Sequence, residues 1–140
     1  MIDKCNLHSR PVLIDLPKIE DSRGNLSFIE EQSHVPFIIQ RAFWIYDVPG
    51  GQERKGHANL ENQEFIVAIS GSFDVVVDDG IVETVFALNR SYFGLYVPAM
   101  LWRTILNFST NSLCLVLCSE TFSSKDYIES HVEFLEKVCR

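Results

Sequence analysis

Apolar residues in this chain come in short bursts, each closed by a turn signal, and that spacing predicts a succession of strands. Leu26-Ser-Phe-Ile-Glu30 follows the turn sequence Asp21-Ser-Arg-Gly24. The aromatic run from Phe37 to Val48 ends at Pro49-Gly-Gly51, and Glu64 to Ser70 runs into Gly71. Phe73 to Val77 and Ile81 to Leu88 flank Asp78-Asp-Gly80, and Asp-Gly between two β-branched runs is a strong hairpin signal. Tyr92 to Val97 stops at Pro98, then Trp102 to Phe108 and Ser112 to Ser119 close the series. Short strands at such regular spacing predict a sandwich or barrel.

A helical pattern appears only at the end. Ser123-Ser124 offers an N-cap, and Tyr127, Ile128, Val132, Leu135 and Val138 fall on one face of an amphipathic helix from about Lys125 to Cys139. With no repeat, linker or low-complexity segment in sight, residues 1–140 are expected to form one domain.

Composition sharpens this picture in a few places. An apolar share of 46% with ten Phe excludes global disorder. The net charge of −7 argues against a general nucleic-acid or anionic-membrane binder, although a local basic cluster still suits one small anionic ligand such as a nucleotide. No apolar run reaches the length of a membrane span, and Met1-Ile-Asp-Lys opens with a charge and no apolar core. A cytoplasmic protein is expected. Of the cysteines Cys5, Cys114, Cys118 and Cys139, the middle two fall on one face of a strand, where they cannot bridge; they read as small buried hydrophobes.

The candidate chemistry centres on His57, which sits in the frame G-x5-H-x-N-x4-E-x6-G from Gly51 to Gly71. This frame resembles the first conserved motif of the cupin superfamily, with Asn59 standing where a second histidine belongs. The resemblance implies a jelly-roll barrel, the double-stranded β-helix, all-β apart from the terminal helix. A counterpart of the second motif follows Gly94 in Pro98-Ala-Met100-Leu-Trp-Arg103-Thr-Ile-Leu-Asn107, where Met100 replaces a glycine and Arg103 replaces the third histidine. Guanidinium has no free lone pair and repels a cation, so His57, Asn59, Glu64 and Arg103 do not read as a metal site. No metal and no cofactor are expected.

Instead Arg103 is suited to stabilising an oxyanion, and His57 to general acid–base work, since an imidazole ordinarily titrates near about 6.5. The competing reading for His57 is a structural hydrogen bond to Glu64 inside the barrel. His8, His34 and His131 are read as surface or structural, and Asp78-Asp79 as a turn. Arg41, inside the apolar run Phe37–Tyr46, is expected to point into a polar lumen. Tyr46, Tyr96 and Trp102 are most simply core or rim aromatics; stacking a base or sugar is the other reading for each.

An ordered set of residues carries a closer resemblance. Asp21-Ser-Arg-Gly-Asn-Leu26, Glu30, Arg41, Arg54-Lys-Gly-His57-Ala, Gln63, Gly71-Ser72, Asp78-Asp-Gly80, Tyr96-Val97-Pro98 and Trp102 together resemble the bacterial sugar 3,4-ketoisomerases, the WxcM-like group of cupins. That resemblance implies metal-free isomerisation of a dTDP-4-keto-6-deoxyhexose, moving the ketone from C4 to C3 through an enediol-like intermediate. It also implies a homodimer with exchanged N-terminal strands. By position His57 is the acid–base residue and Arg103 stabilises the enediolate. Arg23, Arg41, Arg54, Lys55, Asn59, Glu64, Tyr96 and Trp102 are the expected binding residues. Two positions depart from the pattern. Asn59 replaces the second histidine of the family's His-Ala-His, and Ala42-Phe-Trp44 stands where relatives often carry tyrosine. An amide takes no proton at neutral pH, so the alternative is a non-catalytic cupin that binds a dTDP-sugar as partner or regulator.

Overall fold

A computed structural model describes residues 10–138. The strands are β1 (Val12–Asp15), β2 (Lys18–Asp21), β3 (Gly24–Ser27), β4 (Arg41–Tyr46), β5 (Arg54–Asn59) and β6 (Glu64–Ser70). They continue with β7 (Phe73–Asp78), β8 (Glu83–Leu88), β9 (Phe93–Val97), β10 (Trp102–Leu106), β11 (Leu113–Cys118) and β12 (Tyr127–Ile128). One α-helix, α1 (His131–Val138), follows. A first antiparallel sheet has the order β1-β9-β6-β11-β4 and a second the order β12-β5-β10-β7-β8, with β2-β3 as a separate hairpin. This is the jelly-roll architecture that the cupin frame implies.

Strand alternation explains how the sheets meet. Ile66 and Ala68 of β6, Leu95 of β9 and Cys114 and Val116 of β11 turn inward from the first sheet. They pack on Phe73 and Val75 of β7, Leu88 of β8 and Ile105 of β10. The intervening residues Phe65, Val67, Tyr96 and Leu117 face outward, where Val35 and Phe37 cover them. Cys114 and Cys118 are free and buried as expected, and burial pushes the Cys114 thiol up to about 12. Cys5, His8 and Cys139 lie outside the described residues.

The elements differ from expectation in three respects. The run from Phe37 to Val48 is strand only over Arg41–Tyr46; before it, the Ile39 N–H donates to the Glu31 carboxylate, and after it Asp47 turns the backbone at φ 55°. The helix begins at His131 rather than near Lys125. Residues Ser124–Asp126 instead make a 3-10 turn, and Tyr127–Ile128 pair with Asn59–Ala58 as β12. Ser130 rather than Ser123 serves as cap, its Oγ accepting the Glu133 N–H at 3.2 Å. Finally β1, β2 and β5 were not among the expected strands.

Candidate active site

Pairing of β5 with β10 sets Arg103 directly across from His57. Gly56 and Ala58 face outward: a Cβ at Gly56 would strike Trp102 and Thr104, and Ala58 packs with Ile128 and Phe134 under α1. His57 therefore turns to the inner side of the sheet. Arg103, also inward, crosses to the opposite sheet, where its Nε and Nη2 donate to Glu64 Oε1 and Oε2 at 2.7 and 2.8 Å. Both partners are buried. Burial would raise the Glu64 pKa, but the charge and paired hydrogen bonds of Arg103 outweigh it and hold the carboxyl below its ordinary range. In register beside Glu64 stands Cys118, and beside Cys118 stands Arg41, whose Nη2 donates to Cys118 Sγ at 3.4 Å.

This end of the barrel opens into a cleft of about 1100 Å³. Arg41 and Phe43 of β4, the Glu53–His57 segment, Arg103, and Phe122 and Tyr127 form much of its lining, while Glu129, Ser130 and Glu133 close one side. The His57 Nε2 is buried and has no protein partner. Burial, reinforced by the charge of Arg103 and opposed by Glu64, presses its pKa down to about 4. The ring is therefore a neutral imidazole at pH 7, ready to accept a proton. Tyr127 stands edge-on to it, with ring centroids 4.8 Å apart and planes at 72°. Asn59 is buried nearby in sequence, its Oδ1 without a protein partner.

The cleft thus brings together Arg41, Arg54, Lys55, His57 and Arg103. Asn59 and Glu64 lie deeper, behind the lining. The remaining three expected residues stand elsewhere. Arg23 is exposed at the tip of the β2–β3 hairpin, where it pairs with Asp21 at 2.8 Å. Tyr96 faces outward from the first sheet and its hydroxyl donates to Gln63 Oε1. Trp102 packs against His131 and Phe134 under the helix. These are consequences of alternation: Tyr96 and Trp102 each sit one residue out of phase with an inward neighbour. Among the weaker candidates, the His34 Nδ1 accepts the Glu30 N–H at 2.9 Å, a structural role.

Sequence reasoning missed Tyr127 and Phe122. A helical reading of residues 125–139 hid Tyr127, because its spacing fits a helix face as well as a strand. Its real position comes from pairing with Asn59 and from Asp126, whose carboxylate accepts the N–H groups of Glu61 and Asn62. Phe122 is an exposed aromatic with Arg41 stacked 5.6 Å from its ring, and no short motif marks it.

Comparison with known proteins shows the family. The model of the family FdtA (WxcM-like, C-terminal) matches residues 9–139. This chain belongs to that family. It is 34% identical over 128 residues to the TDP-4-oxo-6-deoxy-alpha-D-glucose-3,4-oxoisomerase of Aneurinibacillus thermoaerophilus, covering 91% of this chain and 92% of that one. The structure is similar to that of WlaRB, a TDP-quinovose 3,4-ketoisomerase of Campylobacter jejuni, at TM-score 0.87 and 34% identity over 90% of this chain and 97% of that one. It is also similar to QdtA, a sugar 3,4-ketoisomerase of Thermoanaerobacterium thermosaccharolyticum solved with TDP. There the TM-score is 0.90 and the identity 27%, over 92% of this chain and 94% of that one. As a member of the FdtA family, the chain is read as an isomerase.

Proposed function

We propose that this protein moves the ketone of a TDP-linked 4-keto-6-deoxyhexose from C4 to C3, with His57 carrying the carbon-bound proton. The observation that carries this reading is that His57, a neutral imidazole whose buried Nε2 has no protein partner, lines a cleft together with cationic side chains. Removing a proton alpha to a carbonyl needs an unprotonated base at the start and charge stabilisation afterwards. His57 supplies the first. As negative charge builds on the enediolate, the imidazolium that forms beside it is stabilised, which offsets the low basicity of the empty site. Arg103, whose Nε and Nη2 are engaged by Glu64, contributes fixed positive potential that helps hold His57 neutral. Arg41, Arg54 and Lys55 suit the diphosphate.

The same reading carries a homodimer with exchanged N-terminal strands, working in the cytoplasm. Apolar side chains on the outer strands support the dimer: Val12 and Leu13 of β1, Ile19 and Leu26 of the hairpin, and Trp44 and Tyr46 of β4 are all exposed in one copy of the chain. Among the described residues, no helix is long and apolar enough to cross a membrane.

The test is incubation with dTDP-4-keto-6-deoxyglucose in deuterated water. Deuterium is expected at C3 of recovered substrate and at C4 of the 3-keto product, and His57→Asn abolishes both. Tight dTDP binding with neither exchange nor product in the wild-type protein would establish the binding-protein alternative, which the amide at Asn59 favours.

A further inference from the structure

Ketone migration moves two protons, and the residues assigned so far carry only one. The carbon-bound proton passes from C3 to C4 by way of His57. The second must arrive on the C4 oxygen and leave the C3 oxygen. Asn59 offers an amide and Phe43, which lines the cleft beside Arg41, offers no hydroxyl. Arg103 is held by Glu64 and is no proton donor.

Tyr127 is placed for the task. It lines the cleft, is half-buried, and its ring packs on the imidazole of His57 at 4.8 Å. The β12–β5 pairing fixes its backbone opposite Asn59, so its position follows from sheet register rather than from a mobile loop. Arg41, stacked between Phe43 and Phe122, lines the same cleft as Tyr127 and Arg103. A phenol hydroxyl can both donate and accept a proton.

We infer that the Tyr127 hydroxyl carries the oxygen-bound proton of the isomerisation, the step that the amide of Asn59 cannot perform. The inference rests on the ketoisomerase reading above. As His57 takes the proton from C3, Tyr127 gives its own to the C4 oxygen; the C3–H bond breaks, an O–H bond forms at C4, and an enediol results. In the second half the Tyr127 phenolate takes the proton from the C3 hydroxyl while His57 returns its proton to C4. A C4–H bond and a C3 ketone form, and both side chains recover their starting state. No oxidant or reductant takes part.

Tyr127→Phe keeps the ring against His57 and removes the hydroxyl. With dTDP-4-keto-6-deoxyglucose in deuterated water, ketone migration and deuterium exchange at C3 are both expected to fall about 10²–10⁴-fold, while calorimetric dTDP binding is unchanged. Adding Asn59→His to Tyr127→Phe supplies another proton carrier and should recover part of the migration. A Tyr127→Phe protein that migrates the ketone near the wild-type rate overturns the assignment and leaves the ketoisomerase reading standing. So does a parallel loss of exchange, migration and dTDP binding, which marks a structural role. Absence of turnover in the wild-type protein removes the ketoisomerase reading itself, and this inference with it.

Discussion

Two ends of one barrel interior use the same strands for opposite purposes. On β6, Glu64 is inward and charged where Ile66 and Ala68 are inward and apolar; on β10, Arg103 precedes Ile105 in the same alternation. Toward the closed end, the strands meet in hydrocarbon and need only shape. Toward the cleft they meet through a bidentate ion pair that must satisfy two desolvated charges at once. Glu64 and Arg103 are buried nearly as fully as Ile66 and Ile105, so what differs is the cost of disturbing them. In the dry end a lost side chain leaves a cavity, whereas in the cleft end it leaves an uncompensated charge. That same charged, desolvated setting is what keeps His57 neutral.

The largest effect expected from breaking this contrast is at the ion pair. Glu64→Ala strands Arg103 in the interior and should cost about 3–5 kcal/mol in denaturant unfolding, with loss of activity. Leu95→Ala at the dry end should cost about 2–5 kcal/mol yet leave kcat close to wild type in the protein that remains folded. Equal activity losses in the two variants would erase the distinction between the ends.

A pH titration sharpens it next. Because the His57 pKa is lowered from 6.5 to about 4, kcat/KM should stay level through neutral pH and fall only on the acid side, with a midpoint near 4. The stability effect has the same sign. Between those two values the unfolded chain binds a proton at this residue and the folded chain does not, so stability drops as pH falls through that window. His57→Gln should flatten this part of the stability curve; a curve unchanged by the substitution would mean the imidazole is not desolvated as described.

The smallest effect is expected far from both ends. Asp21→Asn removes the exposed partner of Arg23 at the hairpin tip, and the unfolding midpoint should not move measurably in the isolated chain. A loss of dTDP affinity on that substitution would instead bring the hairpin of a second copy to the cleft.

How much was legible beforehand depended on whether a residue's role was local. The hairpin at Asp78-Asp-Gly80 was readable because its chemistry is local: Asp78 Oδ1 accepts the Gly80 N–H at 2.7 Å. The position of Met100, where the motif has glycine, does adopt φ 63°, so the motif register was right even where the residue departs from it. By contrast Arg54–Asn59 has few strand-forming residues, and it is a strand because β10 and β12 flank it. The same holds for Tyr127–Ile128, where tertiary pairing overrode a helical spacing. Tyr96 and Trp102 were recognised as family positions, but a motif does not say which sheet face they occupy.

From the sequence alone came the jelly roll, the family, His57 as the candidate to examine and the incompatibility of Arg103 with a metal-ligand set, since each follows from residue type and short-range spacing. Tertiary structure alone decided that Arg103 spends two nitrogens on Glu64, that His57 is pressed neutral, and that Tyr127 rather than a nearer neighbour in sequence stands against it. These depend on which strands lie side by side and on how far water is excluded between two sheets, and neither quantity exists until the chain has closed on itself.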